Sequence, residues 1–153
     1  MNNFVIYVDA DSCPIGVRDL IIRFSIRNNL KLVYVANHEI PLKKHTNFSM
    51  IVTNATPDAA DNYIVENTKE NDLVITRDIP LANRLLEKKI TVINDRGLEF
   101  TQENIKEKLS MRNFSMELSQ NGIYIERNST FSKKDLNNFA NCFSAILQKK
   151  LKN

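Results

Sequence analysis

The sequence predicts an α/β protein: a three-layer α/β/α sandwich around a mainly parallel sheet. Three observations predict it. Apolar, β-branched runs alternate with helical patterns from Phe4 to Ile93, the rhythm of parallel strands joined by right-handed crossovers. Several runs are continuously apolar, as in strands covered on both faces. Two of them close on carboxylates, at Asp9 and Asp78, and ligands of open α/β sheets bind beyond the carboxyl ends of the strands.

Five strands are expected, at 4–8, 30–36, 50–53, 73–76 and 91–93. Between them, Val17, Leu20, Ile21 and Phe24 recur at helical spacing with Pro14 near the start. Asp58 is placed to cap a helix carrying Ala60, Ile64 and Val65. Pro80 opens another, with Leu81, Leu85 and Leu86 on one side and a stop around Lys88-Lys89. After Gly97 the pattern is helical only. Thr101 offers a cap ahead of Ile105, Leu109, Phe114 and Leu118, and Gly122 ends that segment. A polar stretch follows at 127–130. Ser132-Lys133-Lys134-Asp135 then leads a last helix with Leu136, Phe139, Phe143, Ile146 and Leu147 along one side.

If the first three strands step one way and the later ones return beyond the first, the order is 3-2-1-4-5. The topological switch then falls between the strands ending at Asp9 and Asp78. One domain over 1–153 is expected, with a core over about 3–100 and a helical part over about 101–150.

With 42% hydrophobic and 25% charged residues, the composition is that of a globular chain able to bury a core. Three glycines and four prolines argue against long flexible linkers. A net charge of +3 permits nucleic-acid contact without announcing it. The basic clusters Lys43-Lys44-His45, Lys88-Lys89 and 149–152 read singly as solvated faces or helix ends. Cys13 and Cys142 match neither a zinc ribbon nor a redox pair. The N-terminal apolar stretch lacks a basic lead-in and runs into Asp9, so it reads as a core strand. No run reaches the length of a membrane span. The cytoplasm is the expected location, and no membrane partner is expected.

Six aspartates fall just after a strand or in the first turn of a helix: Asp9, Asp11, Asp58, Asp61, Asp78 and Asp95. Asp commonly caps helices and fills turns, which explains any one of them. Their convergence on one sheet edge favours a metal site, because gathered carboxylates repel unless a cation or proton joins them. Hard oxygen ligands select Mg²⁺ or Mn²⁺, and neither His38 nor His45 stands at a recognisable metal spacing. Such an ion lowers the pKa of a bound water and neutralises charge on phosphorus oxygens. Asp9 and Asp78 are then direct ligands, while Asp61 serves a second ion or orients the water, and Asp11 is placed to do either. Around this edge Ser12, Asn37, Asn62, Thr76, Arg77 and Arg96 are candidates for phosphate contacts or for orienting ligands. Thr76 is placed to hold a carboxylate by its hydroxyl. For Arg77, a salt bridge to a neighbouring Asp weighs as much as a phosphate contact. Cys13 lacks a His or Asn partner by spacing, so it is not read as a nucleophile.

Read together, residues 9–14, 35–37, 58–65, 72–82 and 96–97 resemble the YaiI/YqxD family of bacterial proteins of unknown function. The resemblance runs in order from Asp9 to the region of 111–114. That family is grouped with PIN-like domains, whose better-known members are metal-dependent ribonucleases. The resemblance implies that Asp9 ends the first strand as the PIN aspartate does. It implies that Asp61 with Ile64 matches the helix-borne aspartate, and 76–78 the late threonine-x-aspartate. PIN nucleases add a glutamate on an earlier helix. No counterpart stands here: Glu39 lies in an expected loop, and Asp11 or Asp58 is available instead.

The leading reading is a Mg²⁺- or Mn²⁺-dependent nuclease acting on RNA, with catalytic Asp9, Asp61 and Asp78. Asp-x-Asp after a strand also opens phosphatases of the haloacid dehalogenase type, with Asp9 as nucleophile and Asp11 as acid/base, but the further lysine and paired-acid motif are not evident. A non-catalytic nucleic-acid- or protein-binding module is the third reading. A homodimer is compatible with the chain.

Overall fold

The computed structural model describes residues 4–124 and 130–152, so most of the polar stretch at 127–130 lies outside the described residues. Six strands form one sheet in the order β3-β2-β1-β4-β5-β6. They are β1 Val5–Asp9, β2 Lys31–Ala36, β3 Phe48–Val52, β4 Leu73–Ile75, β5 Thr91–Ile93 and β6 Glu99–Phe100. The helices are α1 Ile15–Arg27, α2 Ala59–Asn67, α3 Ile79–Glu87, α4 Gln102–Gln120 and α5 Lys133–Leu151. The first five strands pair in parallel. Their order is the expected 3-2-1-4-5.

The three layers follow from side-chain alternation along the strands. Ile6, Val8, Leu32, Tyr34, Leu73 and Ile75 face one cluster with Val17, Leu20 and Ile21 of α1 and Phe139 and Phe143 of α5. Tyr7, Val35, Val74 and Val92 face the other, with Ile64 of α2, Leu81 and Leu85 of α3 and Ile105 of α4. Both faces are covered, which accounts for the unbroken apolar runs.

Three expectations are corrected. The chain is not helical only beyond Gly97: β6 adds antiparallel to β5, pairing Val92 with Phe100 and Ile93 with Glu99, and two residues are too few to show a periodicity. The third strand begins at Phe48, two residues earlier than expected at 50. Asp58 occupies the N-cap position of α2 but its side chain makes no capping bond. Its φ of −100° and ψ of 2° lie away from the extended backbone from which a cap side chain reaches the first turn.

The other caps form as the spacing suggests. Thr101 accepts from the Asn104 N–H and Ser132 from the Asp135 N–H, each closing a capping box. At the end of α4, Gly122 (φ +79°) donates to Ser119 O and Ile123 donates to Leu118 O, the left-handed glycine stop. Of the basic pairs, Lys88 is structural: its ammonium donates to the carbonyls of Val65 and Thr68. Among the described residues no helix is long and apolar enough to cross a membrane.

Candidate functional site

The site grows out of strand register. Val8 pairs with Ile75, so Asp9 and Thr76 leave β1 and β4 side by side. The Thr76 hydroxyl donates to Asp9 Oδ2 at 2.8 Å and accepts from the Asp78 N–H at 3.0 Å. Asp78 then caps α3, its Oδ1 accepting from the Leu81 N–H at 3.0 Å. Thus Asp78 is at once a helix cap and a site carboxylate. On the other side, Asp9 pairs with Val35, so Asp11 and Asn37 stand equally far beyond the paired strands. The Asn37 N–H donates to Asp11 Oδ2 at 3.2 Å.

Asp9, Asp11, Asp61 and Asp78 line one open cavity of about 310 Å³ together with Ser12, Asn37, Thr56 and Arg77. Asp61 reaches it from the first turn of α2. Thr56 and Pro57 close one wall from the loop after β3, a contribution sequence reading missed. That loop is shaped by Asn54, whose Oδ1 accepts from the Thr56 N–H at 3.1 Å. His38 was also missed as a neighbour of the acids: its Nδ1 lies 3.1 Å from Asp11 Oδ1. No spacing rule finds it, because the register of β1 with β2 creates the contact.

Four named residues stand apart from the cavity. Asp58 is exposed before α2, acting on Asp61 through its charge. Asp95 is buried and paired with Arg77. Asn62 accepts from Arg84 at 3.0 Å on the outer face of α2. Arg96 lies 3.8 Å from Asp135 and over the Phe131 ring, against the start of α5.

The electrostatics are those of crowded acids. Asp61 is pushed up to about 7, first by burial and then by the charges of Asp78, Asp9 and Asp58, against a weaker pull from Arg84. Asp9 is also raised, chiefly by burial and further by Asp78 and Asp11, while the Thr76 hydrogen bond and Arg77 oppose the shift. The Cys13 thiol, close to Asp95 and Asp9, is pushed up to about 12 by burial and those charges, which disfavours the thiolate a nucleophile needs.

The oxygens of Asp9, Asp61 and Asp78, with those of Asp11 beside them, are the carboxylate donors that line this edge. By chemistry they suit a hard ion such as Mg²⁺ or Mn²⁺. Among the described residues no group of three or more His, Cys, Asp or Glu side chains is arranged to hold a metal ion. The fold therefore supplies converging backbone positions, not a preformed cage.

The family model of the uncharacterised YaiI/YqxD proteins matches residues 7–149. The chain belongs to that family. Among its relatives, a "UPF0178 protein" of Treponema denticola is 48% identical over 147 residues, covering 96% of this chain and 94% of the relative. One from Psychromonas ingrahamii is 42% identical over 144 residues, covering 94% and 95%. One from Treponema pallidum is 43% identical over 135 residues, covering 88% and 76%. No solved structure matches the chain. Membership in the YaiI/YqxD family agrees with the motif resemblance and carries no activity with it.

Proposed function

We propose that this YaiI/YqxD protein is a divalent-cation-dependent phosphodiester hydrolase acting on RNA at the Asp9–Asp61–Asp78 cavity. One observation carries the reading: three carboxylates from two adjacent strand ends and a helix line the same cavity, at the point where the sheet order reverses. Asp9 and Asp61 are raised, chiefly by burial and further by the neighbouring acids, and a hard divalent ion is the partner that suits such a group. Asp9, Asp61 and Asp78 would hold Mg²⁺ or Mn²⁺, which when bound supplies an acidified water and charge neutralisation at phosphorus.

The chain's own residues divide the remaining work. Thr76 orients Asp9 by its hydroxyl. The α3 N-cap bond fixes the side chain of Asp78. Asp61, pushed up to about 7 by burial and the neighbouring acids, would exchange its proton for the ion as the ion binds. Arg77 and Ser12 line the cavity and offer donors to phosphate oxygens. The resemblance to PIN-like nucleases supports RNA as substrate. A phosphatase with Asp9 as nucleophile is less well supported, since among the described residues the cation lining the cavity is Arg77 and no lysine does so.

A second reading, a binding module without turnover, draws support from the lack of a preformed three-ligand group among the described residues. Incubating purified protein with single-stranded RNA and Mn²⁺ separates the two. The nuclease reading expects cleavage by the native chain and none by Asp9→Asn. RNA binding with no cleavage in Mn²⁺ or Mg²⁺ selects the binding module.

A further inference from the structure

The turn after β5 carries a buried acid that the acid cavity does not use. Ile75 pairs with Ile93, so Arg77 and Asp95 lie equally far beyond neighbouring parallel strands. There the Arg77 guanidinium is bound by the Asp95 carboxylate, with the arginine half exposed and the acid only 7% exposed. Arg77 borders two spaces: the acid cavity, and a narrow cleft that it shares with Asp95, Cys13 and Ser12. A guanidinium has five N–H donors in a planar fork, so one buried carboxylate leaves donors for a second oxyanion.

The turn bearing Asp95 is rigid for visible reasons. Asn94 Oδ1 accepts from the N–H groups of Arg96 and Leu98, both at 2.9 Å. Gly97 has φ +84°, and a Cβ there would collide with the Asn138 carbonyl of α5. The C-terminal helix thus braces the turn, and the turn presents Asp95 to Arg77.

We propose that Asp95 is a positioning residue that holds Arg77 at the cavity wall as its phosphate-binding arm. The inference rests on the proposed function, deepening it by assigning the recognition of the phosphoryl group. A free arginine among carboxylates would collapse onto them or extend into water, losing side-chain entropy on each capture of ligand. Tethered to an acid outside the cavity, it opposes the negative wall while keeping its remaining donors for the ligand. In this arrangement Asp95 does not serve as a metal ligand.

The test measures two affinities separately: inorganic phosphate, titrated with and without Mn²⁺, and Mn²⁺ alone, read as a rise in melting temperature. Asp95→Ala should weaken phosphate binding by roughly tenfold or more, the scale of a charge-assisted hydrogen bond. Arg77→Gln should do the same, and the double variant should lose little beyond either, because both act along one path. The double variant, which leaves no guanidinium to collapse onto the acids, should retain the Mn²⁺-induced rise. Asp95→Asn keeps an acceptor for Arg77 and should show a smaller loss, which preserves the test if the alanine variant folds poorly. Unchanged phosphate affinity in Asp95→Ala and Asp95→Asn, or no phosphate binding by the native chain, overturns the proposal. Loss of the Mn²⁺ rise in the double variant, but not in Arg77→Gln alone, overturns it as well, by making Asp95 a ligand. A native chain that binds phosphate through this pair yet ignores Mn²⁺ would uphold the arm and discard the metal reading.

Discussion

The Thr76 hydroxyl joins the two strand-end acids, donating to Asp9 Oδ2 at 2.8 Å and accepting from the backbone of Asp78 at 3.0 Å. Thr76 is 3% exposed, so neither bond is readily replaced by water. Thr76→Val keeps the volume and removes both bonds. It should cost about 1–3 kcal/mol of stability, the range for unpaired buried polar groups, and should raise the Asp9 pKa further. Thr76→Ser should restore most of both. Denaturant unfolding and carboxyl titration by NMR check the pair.

Asp78 performs two tasks that two substitutions separate. Asn serves as an N-cap as well as Asp, whereas Ala loses the bond to the Leu81 N–H. Asp78→Asn should stay within about 0.5 kcal/mol of the native stability, and Asp78→Ala should lose about 1 kcal/mol. Both should lose the response to Mn²⁺. Thermal melts with and without the ion read cap and charge independently.

The raised acids set a pH dependence of definite sign. The Asp61 value rises from 3.8 to about 7 on folding. Between those values the folded chain holds a proton that the unfolded chain has released. Stability from this group is therefore full below the unfolded value and falls as pH rises through the window. Asp9 shifts in the same direction. Melting temperature should decline toward neutrality, and Asp61→Asn should flatten the decline. A cation competes with the proton, so the stabilisation by Mn²⁺ should grow from about pH 5 to about pH 8.

Gly97 tests the bracing of the site by α5. Its positive φ and the nearby Asn138 carbonyl leave no room for a side chain. Gly97→Ala should destabilise by more than about 1 kcal/mol, while Gly122→Ala, at φ +79° with nothing among the described residues within 4 Å of its Cβ, should bear only the strain of its backbone. Comparing their denaturation midpoints isolates the packing contribution.

Much of this architecture was legible in the residues. The continuous apolar runs mark strands covered on both faces, and one reversal of direction after the third strand orders five of them. What escaped was created by pairing between distant strands. His38 meets Asp11 because β2 lies beside β1, and Asp95 meets Arg77 because β5 lies beside β4. By sequence Arg77 suits a phosphate contact and a salt bridge equally; the structure shows the salt bridge. Asp78 illustrates a different limit, since its cap and its place at the cavity use one side chain. Asp58 and Asp61 share a short stretch of chain, yet only Asp61 lines the cavity. Asp61 sits in the first turn of α2 and Asp58 is exposed ahead of it, a difference of placement that residue type alone does not report.

The most direct measurement is the melting temperature of the purified protein titrated with Mn²⁺ and with Mg²⁺ at neutral pH. If Asp9, Asp61 and Asp78 hold a shared cation, the native chain melts higher with increasing ion. Asp9→Asn and Asp78→Asn should then fold normally by circular dichroism and show no rise. A native chain whose melting temperature is unmoved by either ion contradicts the account.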